Sequence, residues 1–549
     1  MLRILKNTIT VYARSALLLP STMILYLYSI HFAVQYHGYP LEGSVLTAQL
    51  RQVLQLSLYL FVAVVFLSYE FSMKFRHNGM DEVAAGTGLG KKGIPLACVF
   101  LTMTLWSLVF TVTLAICAVS GYLHYGIRDP GREYIIHILQ NAAVNVFLVM
   151  ELGILAGLLF SKIRNRIPAY AGMMLIAYLV SPYPERIADA QCMAGNLEHN
   201  IFPLVELFGI LPSVRTGFDA NPAFGESLSP ARISLIFFWS AAILFLLCLP
   251  VRRRAGRLWA GVCVAAAAIC FGSYAAPVSD VNMDSNPDHT MAHDQYYYEF
   301  PGTARTKKAA GGYEITAYDM DLEIRRVLEA DIMMDVDRSM EEYKMTLYHG
   351  YRVEGAWDQD GREMDVTQDG DYLSIKAGGG DVSRIRLSYS GYSAAYYSNS
   401  QGIYLPGDFA WYPRAGYIPL HDDEKMAMRS CFVDADTGFC MDISYGGEIH
   451  TNLEEGEDGS YAGTCDGPTI LAGFYKEKEF GDGNRLVYCY LNAECYAEGG
   501  LDEICREDEK ALEEMGKEGV TIFMVPNVNQ MRNRDVGERQ ILVRNSPWI

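Results

Sequence analysis

Two stretches of the chain hold the residue types that phosphate and zinc chemistry need. The first is MDEVAAGTGLGKKG, residues 80–93, where closely spaced glycines run into Lys91 and Lys92. A phosphate loop has the form G-x-x-x-x-G-K-[ST], so that backbone N–H groups wrap the phosphates and a hydroxyl holds magnesium. Here Ala85 stands five before Gly90 and Lys92 follows Lys91, so the first glycine and the magnesium ligand are both replaced. The second is His289 and His293, whose spacing on one helix would offer two zinc ligands. No third ligand or intervening Glu accompanies them, Pro287 precedes them, and VSDVNMDSNPDHTMAHDQYY (278–297) reads as a polar linker. Past the linker, His349, His421 and His450 stand in HGYRV, HDDEK and HTNLE. None is followed by Glu and none has a second His four residues on, so no H-E-x-x-H motif is present. One further acid stands out. Glu151 lies in VNVFLVMELGILAGLLF, with Asn141 and Asn145 upstream. A carboxylate at membrane depth is costly unless paired or hydrated, so it faces a bundle interior or a cavity. Two readings stay open for it: a polar point on a transport path or subunit interface, and a plain helix–helix hydrogen bond.

The flanks decide what the glycine-rich stretch is. LSLYLFVAVVFLSYEF precedes it and IPLACVFLTMTLWSLVFTVTLAICAVSGYL follows, and the latter alone exceeds the roughly 20 residues that cross a bilayer. A loop between two membrane helices is not a nucleotide-binding strand–loop–helix. Apolar length predicts seven spans, at 15–36, 53–72, 94–120, 135–160, 167–182, 233–250 and 258–276, the fifth being short and holding Pro168 and Gly172. Leu2, Ile4, Leu5, Ile9 and Val11 interleave with Arg3, Lys6 and Arg14 as in an interfacial helix, and no small-residue cleavage site follows. Basic residues are divided unevenly between alternate loops, fourteen against six, which puts the amino terminus inside. Seven spans then put the carboxyl half outside. Charge separates the halves as well: residues 1–276 hold 20 Lys/Arg and 13 Asp/Glu, a net of +7, and residues 277–549 hold 25 and 51, a net of −26. Two environments are implied.

The first half resembles the type-2 ABC exporter permeases. The likeness lies in the basic amino-terminal helix, six spans, a charged inner loop after the second span and a long outer loop before the sixth. In YEFSMKFRHNGMDEVAAGTGLGKK (69–92) the residues matching the family's inner loop are Glu70, Arg76, Glu82, Gly86, Thr87 and Lys91. The resemblance implies that this loop docks on a separate ATPase subunit, so that the chain meets ATP only through a partner.

After Pro277 the pattern becomes strand-like. YEITAYDMDLEI, YKMTLYHGYRVEGAW, DYLSIKAG and RIRLSYSGYS alternate apolar and polar residues around the turns DQDGRE and TQDGDY, which predicts an antiparallel β-sandwich. Further strands are expected at FCMDISYG, NRLVYCYLNAE and VTIFMVP, with a charged helix over 501–517. The order resembles the amino-terminal sandwich of the gluzincin aminopeptidases, the aminopeptidase-N family. The residues that carry this are YDMDLEI (318–324), LSYSGY (387–392) and GIYLPGDFAWYP (402–413), with Trp411, Tyr412 and Pro413. That family's zinc chemistry needs H-E-x-x-H, absent here, so no catalytic residue transfers. Tyr396, Tyr397, Trp411 and Tyr412 would form either an extracellular binding surface or a buried core.

Seven cysteines, Cys192, Cys431, Cys440, Cys465, Cys489, Cys495 and Cys505, would lie outside; Cys431 and Cys440 could close a short loop. The expected organisation is a permease-like domain at 1–250, a seventh span at 251–276, a linker at 277–297, a β-sandwich at 298–500, and the start of a truncated peptidase-like domain at 501–549. The function expected is the membrane subunit of an ABC-type exporter in the plasma membrane, a homo- or heterodimer of permeases powered by a partner ATPase. Its partners are that ATPase and the lipid bilayer, not nucleic acid, and neither cofactor nor metal is expected. The outer domain would bind cargo or a partner without catalysing. The alternative is a membrane-anchored aminopeptidase-like protein whose zinc part is lost or supplied by another chain.

Overall fold

The computed structural model describes residues 2–34, 44–77, 94–124, 132–163, 165–193, 201–211, 223–225, 228–249, 254–279, 297–298, 307–393, 396–422, 427–481, 483–491, 499–526 and 534–545. It divides into two compact units: Met1–Gly217 with Leu228–Ala276, and Phe218–Ser227 with Pro277–Ile549. The composition break at Pro277 thus coincides with a boundary of compactness.

The first unit is helical. Helix Leu2–Ala13 buries Thr8 and Tyr12 while Lys6, Asn7 and Ile9 stay exposed, as an amphipathic segment must. Ser15 ends it; its hydroxyl accepts the Leu18 N–H at the start of Leu18–Val34 and a bond from Lys74 Nζ at 2.8 Å. Among the described residues, five stretches are long and apolar enough to cross a membrane: Leu56–His77, Leu96–Ser120, Glu133–Phe160, Pro230–Cys248 and Gly256–Ala275. A sixth qualifies only when Leu5–Ala13 and Leu18–His31, bent by 74°, count together. Of the seven expected spans, the fifth falls outside this set. Helix Arg166–Val180 has 15 residues, and at about 1.5 Å per residue it falls short of a hydrocarbon core of roughly 30 Å. Asn165 caps its start by accepting the Ile167 N–H. Pro182 and Pro184 follow its end.

The second unit is built of sheets. The largest runs Glu454–Glu455, Tyr461–Thr464, Gly438–Ser444, Ile315–Ile324, Leu328–Val336, Arg384–Gly391 and Tyr351–Asp358. A four-stranded sheet runs Arg414–Ala415, Glu342–Thr346, Tyr372–Lys376 and Asp365–Asp369. Strict alternation explains the burial: in Leu328–Val336 every second side chain is buried. The expected all-antiparallel pairing is corrected in two places. Ile315–Ile324 pairs parallel with Gly438–Ser444. At the carboxyl end Asn484–Cys489, Thr521–Pro526 and Gln540–Asn545 pair parallel in a five-stranded sheet that also takes in Tyr475–Phe480. Parallel neighbours need a crossover, and helix Gly500–Met515 supplies one. Gly516, at φ 65°, stops that helix, its N–H reaching back to Glu513 O. Cys505 and Leu512 pack on Leu486, Ile522 and Ile541 beneath. The last five strands are therefore one layer, which the boundary expected at residue 500 cuts through.

Candidate functional site

Glu151 takes its position from two glycines on its own helix, Val149–Phe160. A Cβ on Gly157 would stand 2.4 Å from the Val65 carbonyl oxygen, and one on Gly153 would stand 3.0 Å from that of Phe61. This small-x-x-x-small pair lets the helix lie directly on Ser44–His77, as close membrane packing requires. On the neighbouring helix, Ile94–His124, Thr104 and Ser107 meet the carboxylate. Thr104 donates to Oε2 at 2.7 Å and Ser107 to Oε1 at 2.6 Å. Ser107 also lies 2.9 Å from the Thr104 carbonyl, so its single proton is shared between two acceptors.

Asn141 and Asn145 belong to a separate arrangement. Asn145 Nδ2 donates to Asn141 Oδ1 at 2.5 Å, and Asn141 Nδ2 lies 2.8 Å from His137 Nε2. All three are buried. Asn145 Oδ1 is buried without a hydrogen-bond partner among the described residues. Between Asn141 and Glu151 the helix widens into a π-helical segment, Ala142–Leu148, which itself holds Asn145, a device that recurs at functional sites. The fourth apolar stretch thus carries His137, Asn141, Asn145 and Glu151 in succession. His137, Thr104 and Ser107 escaped the sequence reading. The i, i+4, i+8 spacing of 137, 141 and 145 and the i, i+3 spacing of 104 and 107 were the available signals.

Of the residues expected to couple to an ATPase, Glu82, Gly86, Thr87 and Lys91 lie outside the described residues. Glu70 accepts a hydrogen bond from the Tyr170 hydroxyl, and Arg76 donates to the Ser161 carbonyl. Both therefore hold the second apolar helix to its neighbours.

In the second unit His349 and His421 flank the same tyrosine, Tyr298, and His450 stands in a separate setting. His349 Nδ1 lies 2.9 Å from Asp371 Oδ1, which also accepts the His349 N–H, while Tyr298 donates to Oδ2 at 3.0 Å. His421 stacks on Tyr298, and His450 Nδ1 lies 2.8 Å from Glu477. The His450 hydrogen bond holds the Glu477 carboxyl below its usual range. Among the described residues no three His, Cys, Asp or Glu side chains come together as metal ligands. An open polar groove of about 770 Å³ lies beside His349, lined by Arg352, Glu354, Glu363, Asp365 and Gln368 among others. Gln368 closes one end, accepting the Val353 N–H and donating to the Tyr351 carbonyl.

Of the two readings of the aromatic residues, the structure takes the buried core over the binding surface. Trp411 and Tyr412 are 0 % exposed, Tyr396 1 % and Tyr397 2 %, each just outside a strand yet packed inward. Tyr389 donates to Trp411 O, and the buried Arg414 guanidinium lies 3.8 Å over the Tyr412 ring. These residues are core. Cys431 and Cys440 carry free thiols rather than a bridge, Cys440 standing exposed on a strand and Cys431 beside the Asp408 carbonyl. Burial pushes the Cys431 thiol up to about 11 and the Cys465 thiol to about 12, so neither is a ready thiolate.

No family model matches the chain, and no curated relative matches it. Solved structures do superpose in part. Leukotriene A4 hydrolase from Saccharomyces cerevisiae is 9% identical with a TM-score of 0.31, covering 46% of this chain and 44% of its own. An M1 zinc metallopeptidase from Deinococcus radiodurans, an E323A mutant bound to a Tyr-Ser-Ala substrate, is 14% identical with a TM-score of 0.31, covering 43% and 60%. The chain spans well under two thirds of either protein. At such scores the likeness assigns no chemistry to this chain.

Proposed function

We propose that the chain is the membrane subunit of an ABC-type exporter, driven by a separate ATPase, whose β unit holds cargo or a partner without cleaving it. The observation that carries the reading is the polar series His137, Asn141, Asn145 and Glu151, which runs from the segment REYIIHILQN into a stretch, Ala142–Phe160, apolar but for Asn145 and Glu151. Polar groups at membrane depth are costly and face interiors or pathways. Glycine packing on one side and hydroxyl donors on the other hold Glu151 in one orientation. The fourteen-to-six division of basic residues supports an inward-facing 74–92 loop, where a cytoplasmic ATPase would dock.

In this reading the bilayer thins locally around Arg166–Val180, which crosses it, and the β unit lies outside. The test is to purify the tagged protein from detergent-solubilised membranes of its own host. An ATPase subunit should accompany it and be lost when Glu82 and Lys91 are charge-reversed. Recovery of the permease alone, under conditions that keep a known transporter assembled, would sink the reading. Chelator-sensitive cleavage of aminoacyl-anilides by the pure chain would favour the membrane-anchored peptidase instead.

A further inference from the structure

The open groove beside His349 lies where two sheets of the β unit part. Tyr351–Asp358 is the last strand of the seven-stranded sheet, and Asp365–Asp369 is the last of the four-stranded one. At one end the two strands are joined by backbone: the Met364 N–H donates to the Ala356 carbonyl at 2.8 Å, and Trp357 and Glu363 form an antiparallel bridge. At the other end a side chain joins them. Gln368 Nε2 donates to the Tyr351 carbonyl at 2.7 Å, and Gln368 Oε1 accepts the Val353 N–H at 3.1 Å. A carbonyl and an N–H two residues apart on one edge are what a neighbouring strand takes up, so the Gln368 amide stands in for one. Between the two junctions the Val366 N–H and carbonyl face the groove as well, since alternate residues of a strand turn the same way and Met364 turns to Ala356.

Charge is divided along the groove. Among the described residues the other arginines of the β unit each reach a carboxylate, a carbonyl or a hydroxyl, as Arg384 and Arg386 reach Asp335 and Asp331. Arg352 has no hydrogen-bond or ion-pair partner for its side chain among them, and it stands at the Gln368 end, between the two residues that hold that amide. The side chains of Glu363 and Asp365 are likewise uncommitted among the described residues and stand toward the opposite end. Glu354, by contrast, accepts the Ser390 hydroxyl at 2.8 Å. From Asp365 to Gln368 the strand advances about 10 Å. The groove thus offers a cation at one end, uncommitted carboxylates at the other and strand edges between, in a volume of about 770 Å³ that suits a small ligand.

We propose that this groove binds a short extended peptide with both ends free, about three or four residues long, its ammonium group at Glu363 and Asp365 and its carboxylate at Arg352. A single amino acid, with its two charges on adjacent atoms of one residue, cannot reach both ends. The charged side chains are exposed, so solvent screens them and binding weakens as salt is raised. Such a ligand gives a chemical class to the cargo or partner that the β unit is proposed to hold. Its role rests on that reading, but its binding is measured with no ATPase present, so a failed titration and a failed co-purification are separate results.

Calorimetric titration of the full chain in detergent with tetraalanine tests it, alongside tetraalanine acetylated at its amino end and tetraalanine amidated at its carboxyl end. Each blocked peptide should bind about threefold more weakly than the free one, or worse. Arg352→Gln should weaken the free peptide by a similar factor and abolish the penalty of amidation while keeping that of acetylation. Glu363→Gln combined with Asp365→Asn should do the reverse. All three changes are at exposed side chains, so hydrogen exchange over Leu328–Val336 should match the wild type and report a folded β unit. No binding of the free peptide, equal binding of free and blocked peptides, or penalties that survive both variants would overturn the site. Penalties that follow the opposite variants would overturn the orientation.

Discussion

In the first unit the carboxylate of Glu151 is met by two neutral hydroxyls, whereas in the second Asp408 and Asp535 close on one guanidinium. Arg544 Nη2 lies 2.8 Å from Asp408, Nε 2.8 Å from Asp535, and Nη1 donates to the Tyr404 hydroxyl at 2.6 Å. All three charged residues are no more than 3% exposed. They join the Gln540–Asn545 strand and the loop at Asp408, so the ion cluster ties the carboxyl-terminal sheet to the rest of the β unit. The contrast teaches how each unit is held. Hydroxyl bonds in a membrane bundle contribute little apiece, so the bundle relies on close glycine packing. A buried ion cluster is stable as a set but costly to break by halves.

The sharpest way to break this comparison is Arg544→Ala. It would leave two carboxylates buried without their cation, at a cost of about 3–5 kcal/mol to the β unit, seen as an earlier denaturant midpoint for the full chain in detergent. Replacing Arg544, Asp408 and Asp535 together by Met and Leu should recover most of that loss. A single-variant cost below about 1 kcal/mol would mean that the cluster is not a closed set.

In the first unit the corresponding blow falls on packing. Gly157→Ala drives a Cβ to 2.4 Å from Val65 O and 2.8 Å from Ser68 Cβ. It should cost about 1–3 kcal/mol, as overpacking does. Gly261→Ala, where nothing lies within 4 Å, is the neutral control. Equal unfolding midpoints for the two variants would remove glycine packing as the holder of Glu151.

Glu151→Gln should cost less than about 1 kcal/mol of stability, since an amide oxygen still accepts from Thr104 and its NH₂ donates to Ser107. Transport, once its substrate is known, should suffer more than stability does. A destabilisation as large as that of Gly157→Ala would make Glu151 a structural residue and nothing more.

The smallest effect is on pH. The His450 hydrogen bond depresses the Glu477 carboxyl, so its contribution is present above the usual 4.5 and is lost as pH falls through the lower folded value. The side chain is 35% exposed, so solvent screens much of the interaction. Acid titration of stability below pH 4.5 should therefore be slightly shallower in Glu477→Gln than in the wild type. Identical acid limbs would show that the pair adds nothing.

Much of this was legible along the chain. Strand alternation placed Ile315–Ile324 and Arg384–Gly391 nearly to the residue, because each has one face in the core, and a short apolar run placed Thr521–Pro526, buried on both. The helix expected over 501–517 runs Gly500–Met515. Apolar length located the helices long enough to cross a membrane, but not whether Arg166–Val180 is among them, since helix ends depend on capping and proline rather than on hydropathy. The parity of crossings turns on that helix and on the bent pair Leu5–Ala13 and Leu18–His31. Of the candidate site, Glu151 was visible because a charge in an apolar run is conspicuous. Its partners Thr104 and Ser107 were not, since hydroxyls in a membrane helix satisfy their own backbone and attract no notice.

Local patterning, then, was determined by the sequence alone: two unlike halves, helices in one, alternating strands in the other, and a break at Pro277. These depend on the period of apolar residues, which neighbours in the chain are enough to define. Tertiary structure alone decided the rest. It buried Trp411 and Tyr412, which read equally well as a surface, and paired Ile315–Ile324 parallel with a strand more than a hundred residues away. It brought Arg544 to Asp408, and it carried Phe224 out of the helical half into a socket between Gly402 and Gly473. Each of these is a meeting of residues distant in sequence, and closing a long loop leaves no trace in the local pattern of either end.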